Sequence, residues 1–135
     1  HQEVPRAGIR RMNASDYYEL IKEEREEWRE SMPDQCMYCG TLEVNAWPGL
    51  DVHEMERKSQ APNNWGELCN YLKICRRCHD GPFRDMDHDK QLAVKLIKDP
   101  ENFDLWEWLR LRDPKLTAPD RVTMDDVVRH LRMVD

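Results

Sequence analysis

Apolar and polar positions along the chain change their period several times, and each change predicts an element. Across residues 15–30 the apolar positions recur at helical spacing, with Tyr17, Ile21 and Trp28 on one face and Tyr18 beside them. Ser15 is suited to cap that helix and Pro33 to end it. Leu42-Glu-Val44 and Leu50-Asp-Val52 then alternate apolar with polar, the period of two short strands, with the turn-forming run Asn45-Ala-Trp-Pro-Gly49 between them. Residues 59–66 hold Pro62, Asn63, Asn64 and Gly66 and read as a loop; a short segment over 67–74 follows. Beyond Pro82 the period is helical again. Leu92 and Leu96, with Ala93 and Ile97, form a stripe that Asp99-Pro100 stops, and Phe103, Leu105, Trp106 and Leu109 predict a further short helix ended by Asp113-Pro114. Thr123-Met-Asp-Asp126 has the form of a capping box with Asp in place of Glu, opening a last helix with Val127, Val128 and Leu131 inward. No helix buries such a stripe by itself. We therefore expect Leu92, Leu96, Phe103, Trp106 and Leu109 to pack against the middle of the chain, joined by Tyr17, Ile21 and Trp28.

A length of 135 residues suits one domain with a modest core. The expected division is a flexible basic arm over residues 1–14, carrying Arg6, Arg10 and Arg11, and a single domain over 15–135. Because the chain opens on His1 rather than Met, we expect sequence to be missing upstream. Composition is 39 % hydrophobic and 36 % charged, so the core is small and would gain from a metal staple. No run approaches the roughly twenty apolar residues of a membrane span, and the first residues are not signal-like. Five cysteines do not make a complete disulfide framework, which points to a reducing, intracellular, cytoplasmic setting with no membrane partner. The net charge of −6 argues against wholesale coating of nucleic acid. That charge is uneven, however. Residues 15–31 carry seven acids against three bases, the pattern of a solvated helix face, whereas 52–84 carry six bases (Arg57, Lys58, Lys73, Arg76, Arg77 and Arg84) against four acids. The middle of the chain is thus mildly basic and admits a phosphate partner.

Cys36-Met-Tyr-Cys39 and Cys75-Arg-Arg-Cys78 bracket Leu50-Asp-Val-His-Glu-Met55, and the second pair runs directly into His79. Two residues between cysteines let both thiolates reach one ion at about 2.3 Å, and four such ligands fill the shell of a structural zinc. A filled shell has no open position for chemistry, so these cysteines concern folding. Cys69 is left over and reads as a small buried apolar residue rather than a ligand. Trp47, Trp65, Trp106 and Trp108 are able to stack on bases, though core service is the plainer role in so small a domain. His88 and His130 read as ordinary solvent or helix-face histidines.

The order Cys36-x-x-Cys39-Gly40, then Val52-His53-Glu54-Met55, then Asn70-Tyr-Leu-Lys-Ile-Cys75-x-x-Cys78-His79 resembles the zinc-containing HNH endonucleases, over about residues 35–82. The resemblance implies an α+β fold: a β-hairpin followed by a helix around a catalytic metal (the ββα-metal fold), stapled by zinc, with flanking helices and a C-terminal helical part over 83–135. It implies metal-dependent hydrolysis of phosphodiester bonds in DNA, by cutting or nicking, as in proteins of phages and mobile elements. By the same register His53 and His79 correspond to ligands of a catalytic Mg²⁺, Mn²⁺ or Zn²⁺, Asn70 to the asparagine that orients the catalytic loop, and Glu54 to the histidine that acts as general base. Arg57, Lys58, Arg76 and Arg77 would line the rim and hold the phosphate backbone. DNA is the implied partner, and a homodimer stays open.

Glu54 is the departure from the family pattern. A histidine, with a pKa of about 6.5, suits a base at neutral pH better than a free glutamate near about 4.3. Glu54 is read in three ways: as the base, as a third metal ligand with His88, Asp85 or Asp80 sharing the work, or as the mark of a silent site on a module that binds nucleic acid or a protein partner. An alternative register, His53 as base and Asp51 as ligand, fits less well, because strand alternation separates that pair from the adjacent arrangement the family uses. On any of these readings His53 and His79 are expected on one side of the hairpin–helix unit, with Glu54 pointing toward the same cleft.

Overall fold

The structure is a computed structural model that describes residues 14–56 and 67–112, with Asp125 and Arg129 beyond them. The N-terminal arm over 1–13, Arg57, Lys58, Trp65, His130, the loop 59–66 and, apart from helical Asp125 and Arg129, the helix expected from Thr123 lie outside the described residues, as does the Tyr17 side chain.

Helix α1, Ala14–Ser31, follows the apolar period. Ile21 and Trp28, two turns apart and so on one face, are buried at 3 % exposure each, while Glu19, Glu23, Glu26, Glu27 and Glu30 stay in solvent. Strand β1, Leu50–Glu54, pairs antiparallel with β2, Tyr71–Cys75, in the register Leu50 with Cys75, Val52 with Lys73 and Glu54 with Tyr71. Helix α2, Arg76–Asp80, begins at the residue after β2. Helices α3, His88–Lys98, and α4, Leu105–Arg112, close the described chain. Helices around a small antiparallel sheet make the fold α+β.

The sheet is not the hairpin that alternation predicts. At 42–44 the chain makes a single bridge from Leu42 to Gln35 and then a 3-10 turn over Glu43–Asn45. Leu42 is 50 % and Val44 89 % exposed, so their alternation has no buried face behind it. The partner of β1 is instead the segment after the loop. All five β2 residues are buried, which erases the period of two. Lys73 hides it most. Its ammonium is fully buried and donates to the carbonyls of Arg29 (2.8 Å) and Met32 (3.1 Å) and to Asp34 Oδ1 (3.2 Å), groups at the C-terminal end of α1. Helix-end carbonyls lack intrahelical donors, so a lysine there satisfies them and lies well in the helix field.

Several backbone groups that the two strands turn away from each other also find partners. On β1, Arg29 Nε donates to Leu50 O and Arg25 Nη2 to Val52 O, both at 2.9 Å. On β2, Met37 N donates to Lys73 O at 2.9 Å, Lys73 N to Met37 Sδ at 2.9 Å and Cys75 N to Cys36 Sγ at 3.4 Å. A segment of the first cysteine pair thus lies along the outer side of β2, and α1 along the outer side of β1.

One core cluster links Trp28, Cys36, Leu50, Tyr71, Leu72, Ile74, Phe83, Leu92, Leu105, Trp108 and Leu109, with Phe103 and Trp106 packed half-buried against it. The C-terminal helices therefore pack on the cysteine region as expected, but the inner stripe of α3 differs. Ile97 is 65 % exposed and Leu96 half-buried, whereas Gln91, Leu92 and Lys95 point inward. Lys95 reaches the core because acceptors await it: Leu68 O and Tyr71 O at 2.8 Å and Asp99 Oδ2 at 2.7 Å, with the Trp28 ring 4.7 Å away. Burial pushes the Lys95 ammonium below the ordinary lysine range, and Asp99 opposes that shift. Asp99 also accepts from Trp28 Nε1 at 2.9 Å, tying α1 to the end of α3. Asp99→Ala should lower stability by about 3–5 kcal/mol, because it leaves a buried cation without its partner. Lys95→Met with Asp99→Leu should recover only part of the loss, because Trp28 Nε1 and the Tyr71 carbonyl then lose their partners. Both are read from the urea midpoint at constant slope.

Candidate metal centre and adjoining cleft

Cys36 and Cys39 sit on a turn that closes through Gly40, whose φ of +80° is a conformation side chains disfavour. Gly40 N donates to Cys36 O at 3.0 Å and Gln35 Nε2 to Gly40 O at 2.8 Å, which fixes the loop around the two thiols. Cys75 ends β2 and Cys78 lies one turn into α2, so strand and helix together aim the second pair. The four sulfur atoms lie within 4.8 Å of one another, and Cys39 Sγ is 3.7 Å from Cys75 Sγ. A tetrahedron of thiolates at about 2.3 Å from an ion has edges of about 3.8 Å, so the residues fit a metal ion such as zinc. Cys39 N and Cys75 N both point at Cys36 Sγ, at 3.5 and 3.4 Å. Burial opposes ionisation of Cys39, but hydrogen bonds from Thr41 and the neighbouring cysteines outweigh it and bring the thiol down to about 6. Burial pushes Cys78 up. Cys69 stands apart from the cluster, buried, with burial pushing its thiol up to about 12. All five thiols are free of disulfides.

His53 of β1 and His79 of α2 come together, their ring centroids 5.3 Å apart and nearly perpendicular. Phe83, buried on the 3-10 turn Pro82–Arg84, holds the His53 ring at 5.2 Å. His53 Nε2 lies 2.9 Å from Gln91 Oε1, and His79 Nδ1 lies 3.1 Å from Asp80 Oδ1. Among the described residues the four cysteines are the only group of three or more metal-capable side chains, so no third ligand joins the histidine pair within that span.

Glu54 does not face the histidines. Adjacent strand residues point to opposite faces, and its Oε1 accepts from Arg25 Nη1 at 3.0 Å, beside the Tyr71 ring over which the same guanidinium lies. Asn70 is fully buried. Its Oδ1 accepts from Glu56 N and from Trp108 Nε1, and its Nδ2 donates to Glu56 O, each at 2.8 Å. That amide pins the exit of β1 to the entrance of β2. His88 is half-buried against Trp108, 5.1 Å between rings, and 3.8 Å from Glu56 Oε2, rather than a plain surface histidine. Arg76 and Arg77 are exposed on α2, and Arg76 Nε bonds Asp51 Oδ2 at 3.1 Å.

A cleft of about 540 Å³ runs along β1 between α1 and α2. Arg25, Arg29 and Arg76 face it together with Glu26, Asp51, Asp80 and His79. Arg25 and Arg29 carry a share of this cleft that sequence reasoning missed, although a signal was there: 21, 25, 28 and 29 fall on one helical stripe. Gln91 and Phe83 carried none. Trp47, at 89 % exposure, stands in solvent, while Trp108 is in the core. No helix among the described residues is long and apolar enough to cross a membrane. Comparison with protein-family models, with curated proteins and with solved structures finds no match to this chain.

Metal analysis of the folded protein should return one ion per thiol cluster. Cys36→Ser or Cys78→Ser should lose it and much of the stability, because binding at such a site is folding free energy, whereas Cys69→Ala should keep the ion.

Proposed function

We propose that this chain is a metal-dependent endonuclease or nickase of the HNH type that hydrolyses phosphodiester bonds in DNA. In this reading Cys36, Cys39, Cys75 and Cys78 hold a structural zinc, and the sheet with α2 forms a ββα-metal core. What carries the reading is the meeting of His53 and His79 beside the thiol cluster, from a strand and a helix that the cluster clasps. Two imidazoles suit a divalent ion while leaving its remaining positions for water and phosphate. Such an ion would supply positive charge against the phosphate oxygen and leaving group.

The protein's own groups set the rest. The Asn70 amide holds the backbone at Glu56, and so the end of β1, in place. Arg76 and Arg77 on α2, with Arg25 across the cleft, offer guanidinia to a phosphate backbone. Glu54 lies on the face of β1 opposite the histidine pair, with Oε1 bonded to Arg25, so it reaches a water on an ion held there only after leaving that ion pair. That ion pair favours a second reading, a catalytically silent module of the same core that binds nucleic acid or a protein partner through the cleft. Free thiols at all five cysteines accord with a reducing compartment, and we place the protein in the cytoplasm.

Plasmid relaxation in Mg²⁺, Mn²⁺ or Zn²⁺ separates the readings. The nuclease reading expects nicking by the unaltered chain. A loss of about 10²–10⁴-fold in Glu54→Gln, the range for removing a general base, with DNA binding kept, would show that Glu54 turns from Arg25 to act on the water. An unchanged rate would take it out of the catalytic set. His79→Ala should lose both the second ion and cleavage. Glu54→His should raise the rate if the glutamate is a detuned base. Silence of the parent and of Glu54→His in all three metals, with DNA or protein binding intact, establishes the second reading instead.

A further inference from the structure

Gln91 is only 4 % exposed on α3, yet both ends of its amide are engaged. Its Nε2 donates to the backbone carbonyl of Met86 at 2.8 Å, and its Oε1 lies 2.9 Å from Nε2 of His53. A backbone carbonyl only accepts, so the amide nitrogen must face Met86 and the amide oxygen must face His53. An amide oxygen only accepts as well. Nε2 of His53 therefore carries the ring proton, and in a neutral imidazole the lone pair is then on Nδ1. The ring is also held on its flank by Phe83, itself 3 % exposed, and sits against His79. Tautomer and orientation are both fixed before any ion arrives.

We infer that Gln91 is a positioning residue that locks His53 in its Nε2–H tautomer and so makes Nδ1 the nitrogen that binds a divalent cation shared with His79. The cation-binding half rests on the reading given above; the tautomer half stands on the hydrogen bonds alone. Histidines that ligate metals donate their second ring N–H to an acceptor, and that acceptor sets which nitrogen is bare and how the ring is aimed. Here the acceptor is an uncharged amide whose own orientation is set by a main-chain carbonyl, so it cannot rotate to offer its nitrogen without breaking the bond to Met86. The arrangement also explains why a polar side chain occupies an inward position of α3 next to Leu92.

The test is a long-range proton–nitrogen spectrum of the intact protein labelled at histidine nitrogens, taken above pH 7.5 without added divalent ion, and a Mn²⁺ titration of the same samples. The unaltered chain should show His53 as a single Nε2–H tautomer. Gln91→Met, close in shape but without an acceptor, should give mixed tautomers or Nδ1–H and weaken Mn²⁺ binding by about 10–100-fold, the usual cost of losing such a partner. Metal content of the thiol cluster should not change. Gln91→Glu keeps an acceptor and should keep both the Nε2–H signature and the Mn²⁺ affinity. It also decides the matter should Gln91→Met fail to fold, since loss of the signature there overturns the inference. An Nδ1–H ring in the unaltered chain, or an unchanged tautomer in folded Gln91→Met, overturns it equally. A locked Nε2–H tautomer in a protein that binds no Mn²⁺ removes the cation-binding half together with the nuclease reading, and leaves the lock established.

Discussion

The antiparallel ladder between β1 and β2 sets how the thiol cluster, His53 and the Asn70 clasp stand to one another. Leu50 opposite Cys75 brings the start of β1 to the thiol cluster, and Glu54 opposite Tyr71 brings its end to the Asn70 clasp. Because side chains alternate, a slip of one residue would put Glu54 where His53 now meets His79 and turn His53 toward α1. Register is therefore the specification of the site. Two things hold it: the apolar side of β2, buried along its whole length, and the thiols, which grip the end of β2 against the first cysteine turn.

Around the ladder, buried polar side chains do the joining that apolar packing leaves unspecific. Lys73 binds β2 to the end of α1, and Lys95 binds α3 to both the Leu68 carbonyl and β2. Asp99 completes the circuit to Trp28. Each cation finds two main-chain carbonyls and a carboxylate, so desolvating it is offset by three hydrogen bonds. This geometry orients helices as well as attaching them, since a lysine with three acceptors tolerates little displacement.

Legibility in the sequence followed how directly a residue's chemistry is tied to its spacing. Cysteine pairs two residues apart point to one ion whatever surrounds them, and the four do converge. Helices α1, α3 and α4 were readable because Trp28, Leu92 and Leu109 repeat at the helical period and are buried. Strand β2 was not, because Lys73 occupies a buried position that a period-two reading assigns to solvent. Leu42 and Val44 misled in the opposite direction, an alternation with nothing packed on it. The adjacency of His53 and Glu54 in sequence suggested a shared cleft, whereas their strand geometry sends one to Gln91 and the other to Arg25. Long-range partners such as Gln91 leave no periodic trace.

The first cysteine turn has a second consequence through Met37, whose N–H and sulfur occupy the outward groups of Lys73. Sheet edges with open donors and acceptors recruit other strands, and two-stranded sheets have nothing but edges. Here α1 arginines shield one side and the cysteine turn shields the other. An ion held by the four thiols would thus also guard against self-association. Without it the turn that screens β2 would lose its anchor, and the outward backbone groups of Lys73 and Cys75 would be open to other strands.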